Sequence, residues 1–132
     1  MVREVEVSAA LIRKGGKILL AQRMPGDDFA LLWEFPGGKV EEGEAYQSAL
    51  EREIKEELGL NIKAGRLVSV FEDQAGELRI KVFLYDVEEL SGETECIECN
   101  NFGFFSLEEA KELNLAPADK KIVDYLSLTG IS

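Results

Sequence analysis

Glu53, Glu56 and Glu57 stand at i, i+3 and i+4, and no other feature constrains this chain as tightly. On a helix of about 3.6 residues per turn that spacing stacks three carboxylates on one narrow face. Like charges so placed each cost about 0.2–0.5 kcal/mol, so helix stability alone would not select the pattern. A cation between them is the simplest reason for it. The surrounding residues independently predict a helix. Leu50, Ile54 and Leu58 form an apolar stripe, Gly59 occupies the left-handed cap position, and Gly37-Gly38 turn the chain sharply ahead of it. With oxygen donors, no histidine in the chain and no thiolate in this stretch, the expected ion is Mg²⁺, with Mn²⁺ able to substitute. A solvated acidic face is the competing reading, but it leaves the glycines unexplained.

A length of 132 residues suits one domain spanning 1–132 with one core. Fifteen basic against 26 acidic residues give a formal charge of −11, which argues against a nucleic-acid polymer as partner because such partners need a basic stripe. A small anion remains possible where a metal and a few placed cations overcome the field. No apolar run reaches membrane-spanning length, so a cytoplasmic protein without a membrane partner is expected, as a monomer or homodimer. Cys96 and Cys99 form a single C-x-x-C lacking the further ligands of a zinc site, and two reduced cysteines in or near a loop are expected.

Val5 to Ile12, a Lys14-Gly15-Gly16 turn and Lys17 to Arg23 read as a hairpin. Arg23 at its end is either a surface arginine or a cation over the sheet end. Leu31 to Phe35 reads as a short strand, Pro36-Gly37-Gly38 as a tight bend, and Glu41 to Glu44 as acids favouring the helix N-terminus. Two strands follow, from Leu67 to Asp73 and from Glu77 to Val87. In the second, Arg79, Lys81 and Phe83 share a face that either holds phosphates or a base, or pairs with surface acids. A polar loop from Ser91 to Asn101 precedes a strand at Gly103 to Phe105. Ser106 to Glu109 is a capping box, and Pro117 opens a terminal helix that ends at Gly130.

Gly38, Glu44, Arg52-Glu53-Ile54, Glu56-Glu57 and Gly59-Leu60 fill every fixed position of the Nudix box. With Leu32-Trp33-Glu34-Phe35-Pro36-Gly37-Gly38-Lys39, Phe105-Ser106-Leu107 and Ala116-Pro117-Ala118-Asp119, the chain resembles the MutT-like branch of Nudix hydrolases over nearly its whole length. The resemblance implies an α/β (α+β) fold, a mixed sheet sandwiched between helices. It also implies hydrolysis of a nucleoside triphosphate to monophosphate and pyrophosphate by water attack on phosphorus. Carried over by position, it assigns Glu53, Glu56, Glu57, the Gly37 carbonyl and Glu98 to the metal. Glu53 or Glu98 serves as base and Arg52 orients Glu53. Gly38 and Glu44 brace the turn, and Arg23 contacts phosphate.

MutT-like enzymes acting on oxidised guanine nucleotides carry an asparagine where this chain has Asp119. An ionised aspartate only accepts hydrogen bonds, which favours an amino-bearing base as in (d)CTP unless burial keeps Asp119 protonated. The bland alternative is an acid stabilised by the helix dipole. The substrate expectation is thus an oxidised or modified (d)NTP, such as 8-oxo-dGTP, or a (d)CTP-type nucleotide. Another nucleoside diphosphate derivative such as ADP-ribose, and a nucleotide-binding domain without turnover, are the competing functions.

Overall fold

In the computed structural model, which describes residues 2–130, the run Ala9-Ala10-Leu11-Ile12 is buried on both sides and sets the layering. It belongs to or closely follows β1 (Arg3–Leu11), after which come β2 (Arg13–Lys14), β3 (Lys17–Gln22), β4 (Trp33–Glu34) and β5 (Gly37–Lys39). Helix α1 (Tyr46–Leu58), β6 (Asn61–Ala75), β7 (Leu78–Ser91), β8 (Asn101–Phe105), α2 (Leu107–Lys111) and α3 (Pro117–Thr129) complete the order. One sheet runs β5-β1-β7-β6, with β1 and β7 parallel and the outer pairs antiparallel. A second groups β2, β4 and β8 around β3.

Alternation along β1 sends Ala9 and Leu11 to one core and Ala10 and Ile12 to the other. The first core packs under α3 through Ile122, Val123 and Leu126, the second under α1 through Leu50, Ile54 and Leu58. A strand covered on both faces has no polar side to show, which is why this stretch reads as continuously apolar. The mixed sheet between helices is the expected fold. Each fully buried leucine or isoleucine of the α1 stripe contributes about 1.5–3 kcal/mol. No helix among the described residues is long and apolar enough to cross a membrane.

Caps follow the predicted signals: Gly59 and Gly130 close α1 and α3 in left-handed geometry, and Ser106 and Glu109 exchange both capping-box bonds. Other expectations are corrected. The hairpin exists only as β2 and β3 around Gly15-Gly16, because β1 up to Leu11 pairs with β5 and β7 in the other sheet and the chain crosses to the second sheet after it. Gly37-Gly38 is an edge strand, paired Ala9↔Gly37 and Ser8↔Gly38, and not merely a bend. Helix α1 begins only at Tyr46, with no acid in its first turn, so Glu41 to Glu44 do not serve its dipole. Cys96 and Cys99 are joined by a disulfide, where two reduced thiols were expected.

Candidate active site

Arg52 is the hub of the acidic face. Its Nε and Nη2 donate to the two oxygens of Glu44 at 2.7 and 3.0 Å, and its Nη1 donates to Glu53 at 3.0 Å and to Glu56 at 2.9 Å. The bidentate pair holds the Glu44 carboxyl down at about 2, helped by the Glu41 backbone N–H. Glu44 therefore ties the loop before α1 to the helix through Arg52. Glu56 is exposed on this outer side and does not line the cavity described next.

A cavity of about 520 Å³ opens beside the other acids. Glu53, Glu57 and Glu98 line it together with Gly37, Gly38 and Arg23. The Glu53 carboxylate lies where a Gly38 side chain would be, so the acidic face of α1 reaches the cavity across bare backbone of β5. Glu98 is held by its own backbone: the N–H groups of Ile97 and Glu98 both donate to the Glu57 carbonyl, at 3.0 and 3.1 Å. Part of the wall is apolar. Val5, Val7, Ile80 and Val82 project from paired β1 and β7 positions on the α3 side of the sheet.

Pairing in register decides the fate of Arg79. Because Leu78, Ile80 and Val82 face the cavity, Arg79, Lys81 and Phe83 face away from it. Phe83 stacks on Tyr46 with ring centroids 4.4 Å apart, Arg79 approaches Glu4 at 3.8 Å and Lys81 approaches Glu72 at 3.9 Å. The reading of Arg79 as a substrate contact is corrected to that of a surface ion pair.

Asp119 is buried and lines the cavity, accepting the Phe35 backbone N–H on Oδ1 at 2.9 Å. Burial and the nearby Glu34 push its carboxyl well above the usual range. Glu34 stands in the short strand and in the phrase that carries the resemblance with no role assigned to it, yet it lies in the cavity wall and pairs with Arg23 at 2.7 Å. An acid between Trp33 and Phe35, both core aromatics, was the available signal.

Burial, with Glu34 and Glu53 adding their charge, pushes the Glu57 carboxyl up to about 9. Burial raises Glu53 as well, against the pull of Arg52. Among the described residues no three acidic or thiol groups converge at metal-ligand distance, since Glu53 and Glu56 turn to Arg52. The donor chemistry nevertheless fits a divalent cation: hard oxygen ligands on one wall carry more negative charge than their surroundings neutralise.

A stability profile follows. Glu57, Glu34 and Asp119 are all raised above their ordinary values of 4.5, 4.5 and 3.8, so between the ordinary range and about 9 the folded chain binds more protons than the unfolded one. Stability then falls as pH rises across that window. Glu44 and Glu109 are lowered and already ionised in both states above pH 5, so they do not oppose the trend there. In chelator, the melting temperature at pH 8.5 is expected to lie about 5 °C or more below that at pH 5.5. Glu57→Gln should flatten the profile; an unchanged slope in that variant would remove Glu57 as its source.

Comparison with known proteins places residues 2–126 in a match to the NUDIX domain. The chain is 39% identical over 123 residues to the CTP pyrophosphohydrolase of Escherichia coli, covering 93% of this chain and 91% of that protein. It is 37% identical over 124 residues to the 8-oxo-dGTP diphosphatase of Haemophilus influenzae, covering 92% and 90%. Among solved structures, the crystal structure of a MutT NUDIX hydrolase from Burkholderia pseudomallei superimposes with a TM-score of 0.83 at 28% identity, covering 92% of this chain and 97% of that one.

Proposed function

The chain belongs to the Nudix family, and from that premise we propose that it hydrolyses a nucleoside triphosphate to the monophosphate and pyrophosphate, with Mg²⁺ as the preferred cation and Mn²⁺ as a substitute. The observation that carries this reading is the shared cavity. It sets an acid cluster and Arg23 beside an apolar slot closed by a buried, hydrogen-bonding Asp119. Polyphosphate needs the first part, and a base needs the second.

Nudix hydrolases require a divalent cation. Glu53, Glu57, Glu98 and the Gly37 carbonyl would hold it, with Glu56 joining by leaving Arg52. When bound, the cation neutralises charge on the phosphate oxygens during transfer. The chain's own residues supply the rest. Water attacks phosphorus as the P–O bond of the α–β anhydride breaks, so that nucleoside monophosphate and pyrophosphate separate, and the water's proton passes to a carboxylate oxygen of Glu53 or Glu98. Arg52 keeps Glu53 oriented through Nη1, and Glu44 keeps Arg52 in place. Arg23 meets the phosphates.

Asp119 bears on the base. With Oδ1 occupied by the Phe35 N–H and burial favouring the protonated form of the carboxyl, Asp119 when protonated offers an O–H donor from its second oxygen. A donor there suits the ring carbonyl or unprotonated ring nitrogen of cytosine, and equally a carbonyl of oxidised guanine. It removes the argument against guanine that an ionised aspartate would make. Both relatives named above fit a substrate of this class.

Turnover of CTP, dCTP, 5-methyl-dCTP, dGTP, 8-oxo-dGTP and ADP-ribose with Mg²⁺, followed as pyrophosphate and monophosphate, tests the reading. At least one cytosine or oxidised-guanine triphosphate should exceed ADP-ribose in kcat/KM by about 100-fold or more. Asp119→Asn, which keeps a donor and an acceptor, should retain the preferred substrate within about threefold. ADP-ribose as the best substrate would sink the triphosphate reading, and loss of activity in Asp119→Asn would mean that the ionised carboxylate is the reader.

A further inference from the structure

We propose that Glu34 is a positioning residue for catalysis: it holds the Arg23 guanidinium in the orientation that meets the substrate's phosphates. The inference rests on the reading of Arg23 as a phosphate contact and adds a residue that reading does not use. It starts from strand register. Ala21 pairs with Glu34 and Gln22 with Trp33, and the Arg23 N–H donates to the Leu32 carbonyl at 2.9 Å, so the pairing continues one step beyond β3. Arg23 and Ala21 share a face, and Glu34 lies opposite Ala21. Arg23 and Glu34 are therefore diagonal cross-strand neighbours, within reach of long side chains.

The geometry fixes the guanidinium at two points. Nη1 donates to Glu34 at 2.7 Å to Oε1 and 3.2 Å to Oε2, and Nε donates to the Asp28 carbonyl at 2.6 Å. Among the described residues Nη2 has no protein partner, and Arg23 lines the cavity, so Nη2 is the donor left for an anion. The side chains of Arg23 and Glu34 are only 30% and 19% exposed, so solvent screens the pair less than it screens an ion pair on the open surface. A long flexible side chain otherwise loses rotamer freedom when it binds phosphate; here that loss is taken in folding.

The same strand reaches the far wall of the cavity. The residue after Glu34 is Phe35, whose N–H donates to Asp119, and Trp33 exchanges backbone bonds with Asn114 and Ala116 just ahead of α3. Residues 33–35 thus join the phosphate-facing guanidinium to the base-facing acid through three residues of ordered backbone. Glu34 sets the distance between the two contacts as well as the orientation of one.

The test is a double-mutant cycle on the full chain with the preferred triphosphate and Mg²⁺. Glu34→Ala is expected to raise KM about tenfold with kcat within about threefold, and Glu34→Gln, which keeps the acceptor, should recover most of that rise. Arg23→Ala should raise KM by at least as much, and adding Glu34→Ala to it should change nothing further. In parallel, the ¹⁵N guanidinium resonances of Arg23 should show restricted rotation in the parent chain and free rotation in Glu34→Ala, a readout independent of turnover. Multiplying effects in the double variant, a fall in kcat larger than the rise in KM, or unchanged guanidinium rotation in Glu34→Ala would each overturn the role of Glu34. If Arg23→Ala left KM unchanged while the parent turned over nucleotide, the phosphate reading of Arg23 would fail and this inference with it. A parent chain inert toward all nucleotides would instead defeat the hydrolase reading.

Discussion

Glu53→Gln is expected to lower kcat about a thousandfold while leaving nucleotide affinity within about threefold, a loss of the size associated with removing a general base. The amide keeps the volume and still accepts the Arg52 Nη1–H, which the carboxylate takes at 3.0 Å, so the side chain should stay in place. What disappears is the anionic oxygen. The amide neither takes a proton from water nor contributes charge to a cation. Because Glu53 packs on Gly38 and not in the apolar core, the melting temperature should stay within about 2 °C of the parent. Rapid-quench measurement of pyrophosphate release beside equilibrium titration with nucleotide separates the two effects. Retention of most of the rate would move the proton acceptor to Glu98 and take Glu53 out of the chemistry.

Gly37→Ala and Gly38→Ala, one residue apart, should fail in different ways. A Cβ on Gly37 would collide with the Ser8 carbonyl oxygen and crowd the Ala9 Cα at 2.9 Å, and both are backbone atoms of the buried strand β1. Neither can turn aside as a side chain would, so β5 must separate from β1. The expected cost is about 3 kcal/mol, or a fall of about 10 °C in melting temperature, with activity lost alongside. A Cβ on Gly38 meets the end of the Glu53 side chain, which is free to move. That variant should melt within about 3 °C of the parent yet lose about 10–100-fold in kcat if the displaced Glu53 carboxylate is the proposed base. Thermal melts and kinetics on both variants check the contrast. A Gly37→Ala protein as stable as the parent would mean that β5 does not pair with β1 in the stated register.

Features encoded within one or two turns were legible from the chain alone. The acids of α1 and its Leu50, Ile54 and Leu58 stripe came from helical spacing, and Leu50, Ile54 and Leu58 are fully buried. The capping box at Ser106 and the Pro117 start of α3 were likewise local, and both occur. The errors came from pairings made in space, some between residues distant in sequence. The hairpin reading joined two strands that neighbour each other in the chain, but β1 finds its partner more than sixty residues on, at β7. Arg79 was placed on a usable cationic face, and alternation was read correctly; which face looks into the cavity depended on α3 packing on the Ile80 and Val82 side and α1, through Tyr46, on the Phe83 side. Glu41 and Glu44 were given to the helix dipole, whereas Glu44 reaches forward to Arg52. No spacing rule could show that Cys96 and Cys99 are bonded.

By itself, then, the sequence determined that three acids and an arginine share a helix and that the paired glycines Gly37-Gly38 precede it. Periodicity and chain connectivity are enough for that, because i, i+3 and i+4 are neighbours on any helix. The tertiary structure alone decided which charges are neutralised and which are not. Arg52 is spent on Glu44, Glu53 and Glu56, while Glu57 is left among Glu34, Glu53 and Glu98 and rises to about 9. It also decided that Asp119 is buried against the Phe35 N–H and that Glu34 meets Arg23. Desolvation and Coulomb interactions depend on distance through space, and residues 23, 34, 57 and 119 become neighbours only when the sheets and helices pack.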